Sequence, residues 1–71
     1  MIYRIELKPR AIRDLRAVDK HQARRITDKI GLMKADLAGD VKRLTNSTPE
    51  FRLRVGDYRI LFEIECDRVI I

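Results

Sequence analysis

The sequence predicts an α+β fold, a small antiparallel β-sheet packed against an N-terminal α-helical hairpin in the order β-α-α-β-β-β. Tyr3 to Leu7 alternate apolar and charged residues, as a half-buried strand does. From Ala11 to Leu37 the apolar residues recur at helical spacing. From Phe51 to Glu65 two alternating runs flank Gly56-Asp57, the pattern of a hairpin. A sheet covered on one side by a helical hairpin is the simplest packing that buries all these apolar faces.

The first strand sets Tyr3, Ile5 and Leu7 against Arg4, Glu6 and Lys8, and Pro9 ends it. Proline is well tolerated in a first helical turn, and Ala11, Ile12, Leu15 and Val18 follow on one face, with Arg10 and Asp14 spaced as an i,i+4 pair outside. A break at Asp19-Lys20 leads to a second helix, whose stripe is Ala23, Ile26, Ile30, Met33 and Leu37. Gly31 weakens it locally, and Ala38-Gly39-Asp40 is expected to stop it. Arg24, Arg25, Asp28, Lys29 and Lys34 lie on its other face, which reads as a solvated surface. A short stretch with Val41 and Leu44 and the polar turn Asn46-Ser47-Thr48-Pro49 connect to the hairpin. Cys66-Asp67-Arg68 reads as a second reversal into a final strand, Val69-Ile70-Ile71.

Glycine in the first central position of a two-residue turn fits a type II′ hairpin, where that residue takes φ > 0. The turn fixes the register: Val55 faces Tyr58, Leu53 faces Ile60 and Phe51 faces Phe62 on an apolar side. On the other side Arg54 lies across from Arg59, and Arg52 sits opposite Leu61 with Arg59 on its diagonal. Glu63, diagonal to Arg52, offers a partial counter-charge. Like charges set opposite each other destabilise a sheet. Arginines splayed into solvent are common on antiparallel sheets. Converging guanidiniums are also suited to a polyanion, because each offers a planar fork of donors matched to phosphate.

The 71 residues make one domain, 1–71, near the lower size at which a chain folds without metals or disulfides. Sixteen Lys and Arg against eleven Asp and Glu give a net charge of +5. That balance favours nucleic acid or an acidic protein as partner. A single cysteine, Cys66, excludes an internal disulfide, and the lone His21 without companions argues against a zinc site. No segment reads as a signal peptide or membrane span, so a cytoplasmic protein with no membrane partner is expected.

Three segments resemble the RelE/ParE superfamily of bacterial toxin-antitoxin toxins: Tyr3-Arg4-Ile5-Glu6-Leu7 with Pro9-Arg10-Ala11, then Val41-Lys42-Arg43-Leu44, then Phe51 to Ile60. The resemblance covers nearly all of the chain and favours the RelE branch. It implies a ribosome-dependent mRNA endonuclease without cofactor or metal, silenced by a cognate acidic antitoxin. The implied partners are that antitoxin, the ribosome and mRNA, with promoter DNA reached only through the antitoxin.

By the same resemblance Arg52 and Arg54 match the basic residues of the family's first hairpin strand, and Arg59 matches the arginine of its return strand. Their implied catalytic role is to stabilise charge on the phosphoryl oxygens as a ribose 2′-hydroxyl attacks. The family mechanism also uses an Arg and a Tyr after the last strand, which are expected beyond Ile71; the last strand then reads as truncated and cleavage as weak or absent. Arginine cannot act as the general base. Tyr3 and Tyr58 fall on the core side by parity, and His21 falls near a helix start. Two alternatives remain open at this point: a ParE-like inhibitor of DNA gyrase, and a catalytically silent module that binds an antitoxin.

Overall fold

A computed structural model describes residues 1–71. The elements run β1 (Arg4–Glu6), α1 (Pro9–Ala17), α2 (Lys20–Leu32), β2 (Val41–Arg43), β3 (Phe51–Val55), β4 (Tyr58–Glu65) and β5 (Arg68–Ile70). They form an α+β fold with a five-stranded sheet in the order β1-β5-β4-β3-β2.

Local chemistry explains the helical hairpin. Pro9 opens α1 at a position where its missing N–H removes no helical bond. Val18 then turns extended, and Asp19 caps α2 by accepting a hydrogen bond from the His21 backbone N–H at 3.2 Å. Ile26 and Ile30 of α2, with Met33 just after it, meet Leu53, Val55, Phe62 and Val69 of the sheet to make the buried core. Around that core Leu15, Val18, Phe51, Ile60 and Ile64 are half-buried. Burial of each large side chain stabilises by roughly 1.5–3 kcal/mol.

The hairpin has the expected register, with Val55 opposite Tyr58, Leu53 opposite Ile60 and Phe51 opposite Phe62. Gly56 carries the positive φ of 58° that the turn requires. The Phe51 and Phe62 rings stack with centroids 5.5 Å apart.

Three features depart from the sequence expectation. The second helix stops at Leu32 and does not reach Ala38. The N-terminal strand captures the following segment: Tyr3 N–H bonds Lys34 C=O, Asp36 N–H bonds Met1 C=O, and the Met1 ammonium pairs with the Asp36 carboxylate. Asp36 and Leu37 turn left-handed, at φ 52° and 57°, so Leu37 reaches the core from a turn. Val41–Arg43 adds a strand, because Val41 pairs with Leu53 and Lys42 with Arg52 along an otherwise free edge of β3. The sheet is also mixed: β1 runs parallel to β5, matching Ile5 with Val69. A parallel partner requires a crossover, and the helical hairpin is the first part of that crossover.

Candidate functional site

The pleat sends Leu53, Val55, Ile60 and Phe62 to the core, and so turns Arg52, Arg54, Arg59, Leu61 and Glu63 to the opposite face. Arg54 stands directly across from Arg59, and both are exposed. Arg54 Nε also points back to its own turn, 3.4 Å from the Gly56 carbonyl oxygen.

Arg52 behaves differently. Its side chain is only 16% exposed, and its Nη1 lies 3.7 Å from Asp40 Oδ1. That is an ion-pair distance without a hydrogen bond, and the same buried Nη1 has no other partner. Asp40 is held there because its carbonyl accepts the Arg54 N–H at 3.0 Å. The counter-charge of Arg52 is therefore Asp40 from the turn before β2, where the sequence pointed to Glu63. The structure joins Arg54 and Arg59 as an open cationic pair and draws Arg52 aside into a neutralising contact.

One further cation joins the hairpin tip. The Arg25 guanidinium of α2 rests against the turn, with Nη2 3.5 Å from the position a Cβ on Gly56 would take. Gln22 steadies it by accepting an Nη1 hydrogen bond at 3.0 Å. Arg25 and Arg54 thus flank Gly56 from the two faces of the hairpin. Sequence reading placed Arg25 on a solvated helix face, and no spacing signal marks it, because docking of α2 on the hairpin is a tertiary contact.

The residues considered for proton transfer lie elsewhere. Tyr58 is on the core side, Tyr3 packs beside the core, and His21 is exposed at the start of α2. At the far end of the sheet Arg68 grips Glu6, donating from Nη2 at 2.8 Å and Nε at 3.1 Å. Those bonds hold the Glu6 carboxyl below the ordinary carboxylate range and raise Arg68 further. That pair is structural. No His, Cys, Asp or Glu group of three or more comes together as a metal site. No helix is long and apolar enough to cross a membrane.

No curated protein matches the sequence. A family model described as "ParE toxin of type II toxin-antitoxin system, parDE" matches residues 5–71, a span that takes in most of β1, both helices and the arginine hairpin. With the α+β architecture built on those same elements, the chain belongs to the ParE toxin family of type II toxin-antitoxin systems and is the kind of toxin that has an antitoxin as partner.

Proposed function

We propose that this toxin acts by binding a protein target in the manner of a ParE-type inhibitor of DNA gyrase. The observation that carries this reading is the contact between Arg52 and Asp40. A three-arginine phosphate site would need Arg52 free to turn to its ligand, and here it is mostly buried beside a carboxylate. Two exposed arginines at a hairpin tip, joined by Arg25, make a surface for an acidic protein face. The match of residues 5–71 to a family described by ParE leans the same way.

A RelE-like mRNA endonuclease is the second reading, favoured by the exposed cross-strand pair Arg54 and Arg59. In that reading the two guanidiniums hold the scissile phosphate. Glu63 is poorly placed to take the ribose proton, since four residues of strand put it about 13 Å from Arg59. Asp57, in the turn between the two arginines, is the nearer carboxylate in sequence. Its position leaves this reading testable.

Two assays decide between them. DNA supercoiling by gyrase and primer extension on programmed ribosomes are measured with the toxin alone and with Arg54→Glu/Arg59→Glu. The expected result is inhibited supercoiling, intact mRNA and relief of inhibition by the double variant. Cleavage at the ribosomal A site with unaffected gyrase replaces the proposal with the endonuclease. Activity in neither assay leaves an antitoxin-binding module.

A further inference from the structure

Positive charge is concentrated in the helical hairpin. Lys8 to Lys34, which takes in α1 and α2, holds nine Lys and Arg against three Asp, whereas residues 35–71 hold six against seven Asp and Glu. Pairing differs in the same way. Arg4, Arg43, Arg52 and Arg68, one from each of four strands, have carboxylate partners, and no cation from Lys8 to Lys34 has one.

Helical geometry gathers these free cations on the side away from the sheet. Arg10, Arg13 and Arg16 fall within an arc of about 120° on α1, nearly opposite Leu15, which packs against the core. Lys20 and Arg24 lie one turn apart on α2, turned away from the buried Ile26 and Ile30. All five are exposed. Only Val18 and Asp19 separate the two helices, so Arg16 and Lys20 meet at the corner and the rows form one cationic face.

The composition of this face selects its partner. A protein interface is anchored by buried aromatic side chains, and single-stranded nucleic acid stacks its bases on them. Neither helix contains Phe, Tyr or Trp. A duplex needs no such anchor, because its phosphates are met by Lys and Arg alone. The α1 arginines recur every ~4.5 Å along the helix axis, close to the ~3.4 Å axial spacing of phosphates on each strand of B-DNA.

We propose that the outer face of the helical hairpin, through Arg10, Arg13, Arg16, Lys20 and Arg24, binds the phosphate backbone of duplex DNA without regard to sequence. The choice of DNA over duplex RNA rests on the gyrase reading, since gyrase works on duplex DNA. The face lies apart from Arg54 and Arg59, so the toxin can hold DNA on its helices while the β-hairpin meets a protein.

The test measures fluorescence anisotropy of a labelled 20-base-pair DNA duplex with the full chain and no gyrase, from 50 to 200 mM salt. Two unrelated sequences should bind within about threefold of each other, and the logarithm of affinity should fall against that of salt with a slope steeper than about −3. Arg13→Gln/Arg16→Gln/Arg24→Gln should weaken binding at least about tenfold at 50 mM salt and reduce the slope by about 2–3. The same three positions changed to Lys should stay within about threefold of the parent. Lys34→Gln/Lys42→Gln/Arg43→Gln removes equal charge elsewhere and should leave the slope within about one of the parent. Equal losses in the two glutamine variants would overturn the proposal, as would equal or tighter binding of single-stranded DNA, duplex RNA or polyglutamate. Supercoiling is assayed separately, so loss of the gyrase reading and loss of DNA binding are told apart.

Discussion

Arg68 on β5 holds Glu6 on β1 through two hydrogen bonds, of 2.8 and 3.1 Å, between residues at opposite ends of the chain. The pair spans the one parallel seam of the sheet, where Ile5 lies against the buried Val69. It therefore fastens the N-terminal strand to the last strand, and the first consequence is a dependence of stability on pH. Hydrogen bonding from Arg68, then its charge and that of Arg4, outweigh desolvation and lower the Glu6 pKa from its ordinary 4.5. A carboxylate whose folded pKa is depressed adds stability above its unfolded pKa, and loses it as pH falls through the folded value. Both side chains are exposed enough for solvent to screen the pair, so the effect is small. Melting temperatures from pH 7 to pH 3 should fall less steeply for Glu6→Gln than for the parent, with the difference confined to pH below about 5 and reduced in 1 M salt. Parallel curves would mean that the pair contributes nothing.

Cys66 gives the second prediction. It occupies the first central position of the β4–β5 turn, between the paired residues Glu65 and Arg68, with φ of 55°. The equivalent place in the β3–β4 turn is taken by Gly56 at φ 58°. A side chain there is strained, and Cys66 is exposed, so its loss removes no buried contact. Cys66→Gly should stabilise the chain by about 0.5–1 kcal/mol in urea unfolding, after allowing for the greater freedom of glycine in the unfolded state. Cys66→Val, β-branched at the same φ, should destabilise it.

These two sites also mark how far the sequence was legible. The hairpin register followed from one glycine and strict alternation, because a two-residue turn leaves no freedom to slip. The arginine face came with it. The fate of Arg52 did not, since Asp40 lies twelve positions earlier and reaches it only through the backbone bond to Arg54. Three-residue strands such as Val41–Arg43 are too short for periodicity to reveal, and the parallel seam between β1 and β5 joins the chain's two extremes. The helical stripe to Leu37 was a true pattern of burial, but backbone bonds from Met1 and Tyr3 claim Lys34 to Asp36 and end the helix early. Arg25 reads as one of several solvated helix charges, because a charged helical residue gives no sign of the turn it lies against.

The contact between Arg52 and Asp40 should show itself as unequal costs. Asp40→Asn removes the nearest carboxylate from a mostly buried guanidinium and should destabilise the chain by about 0.5–1.5 kcal/mol. Arg52→Met replaces the cation and its unpartnered Nη1 with apolar volume, and should be neutral or stabilising. In the Arg52→Met background, Asp40→Asn should then cost close to nothing. Equal effects of Asp40→Asn in the two backgrounds would show that the ion pair carries no coupling and that Asp40 acts through its backbone alone.

Arg54 and Arg59 face each other with like charge, a placement that costs the sheet stability. Arg59→Glu turns repulsion into a cross-strand attraction and should raise stability by about 0.2–1 kcal/mol, read as a higher urea midpoint with an unchanged slope. The same substitution puts a negative charge on the surface proposed to meet an acidic partner. Association with the antitoxin should slow, and its rate should lose much of its dependence on ionic strength, because long-range attraction to the hairpin has been removed. Stopped-flow association at low and high salt measures this directly, with Arg13→Glu on the exposed surface of α1 as a control carrying the same change in net charge. A more stable Arg59→Glu with slower, less salt-sensitive association identifies the arginine pair as a binding surface maintained against the stability of the sheet. Equal slowing by Arg13→Glu would reduce the effect to net charge, and unaltered association would place the antitoxin away from the arginine face.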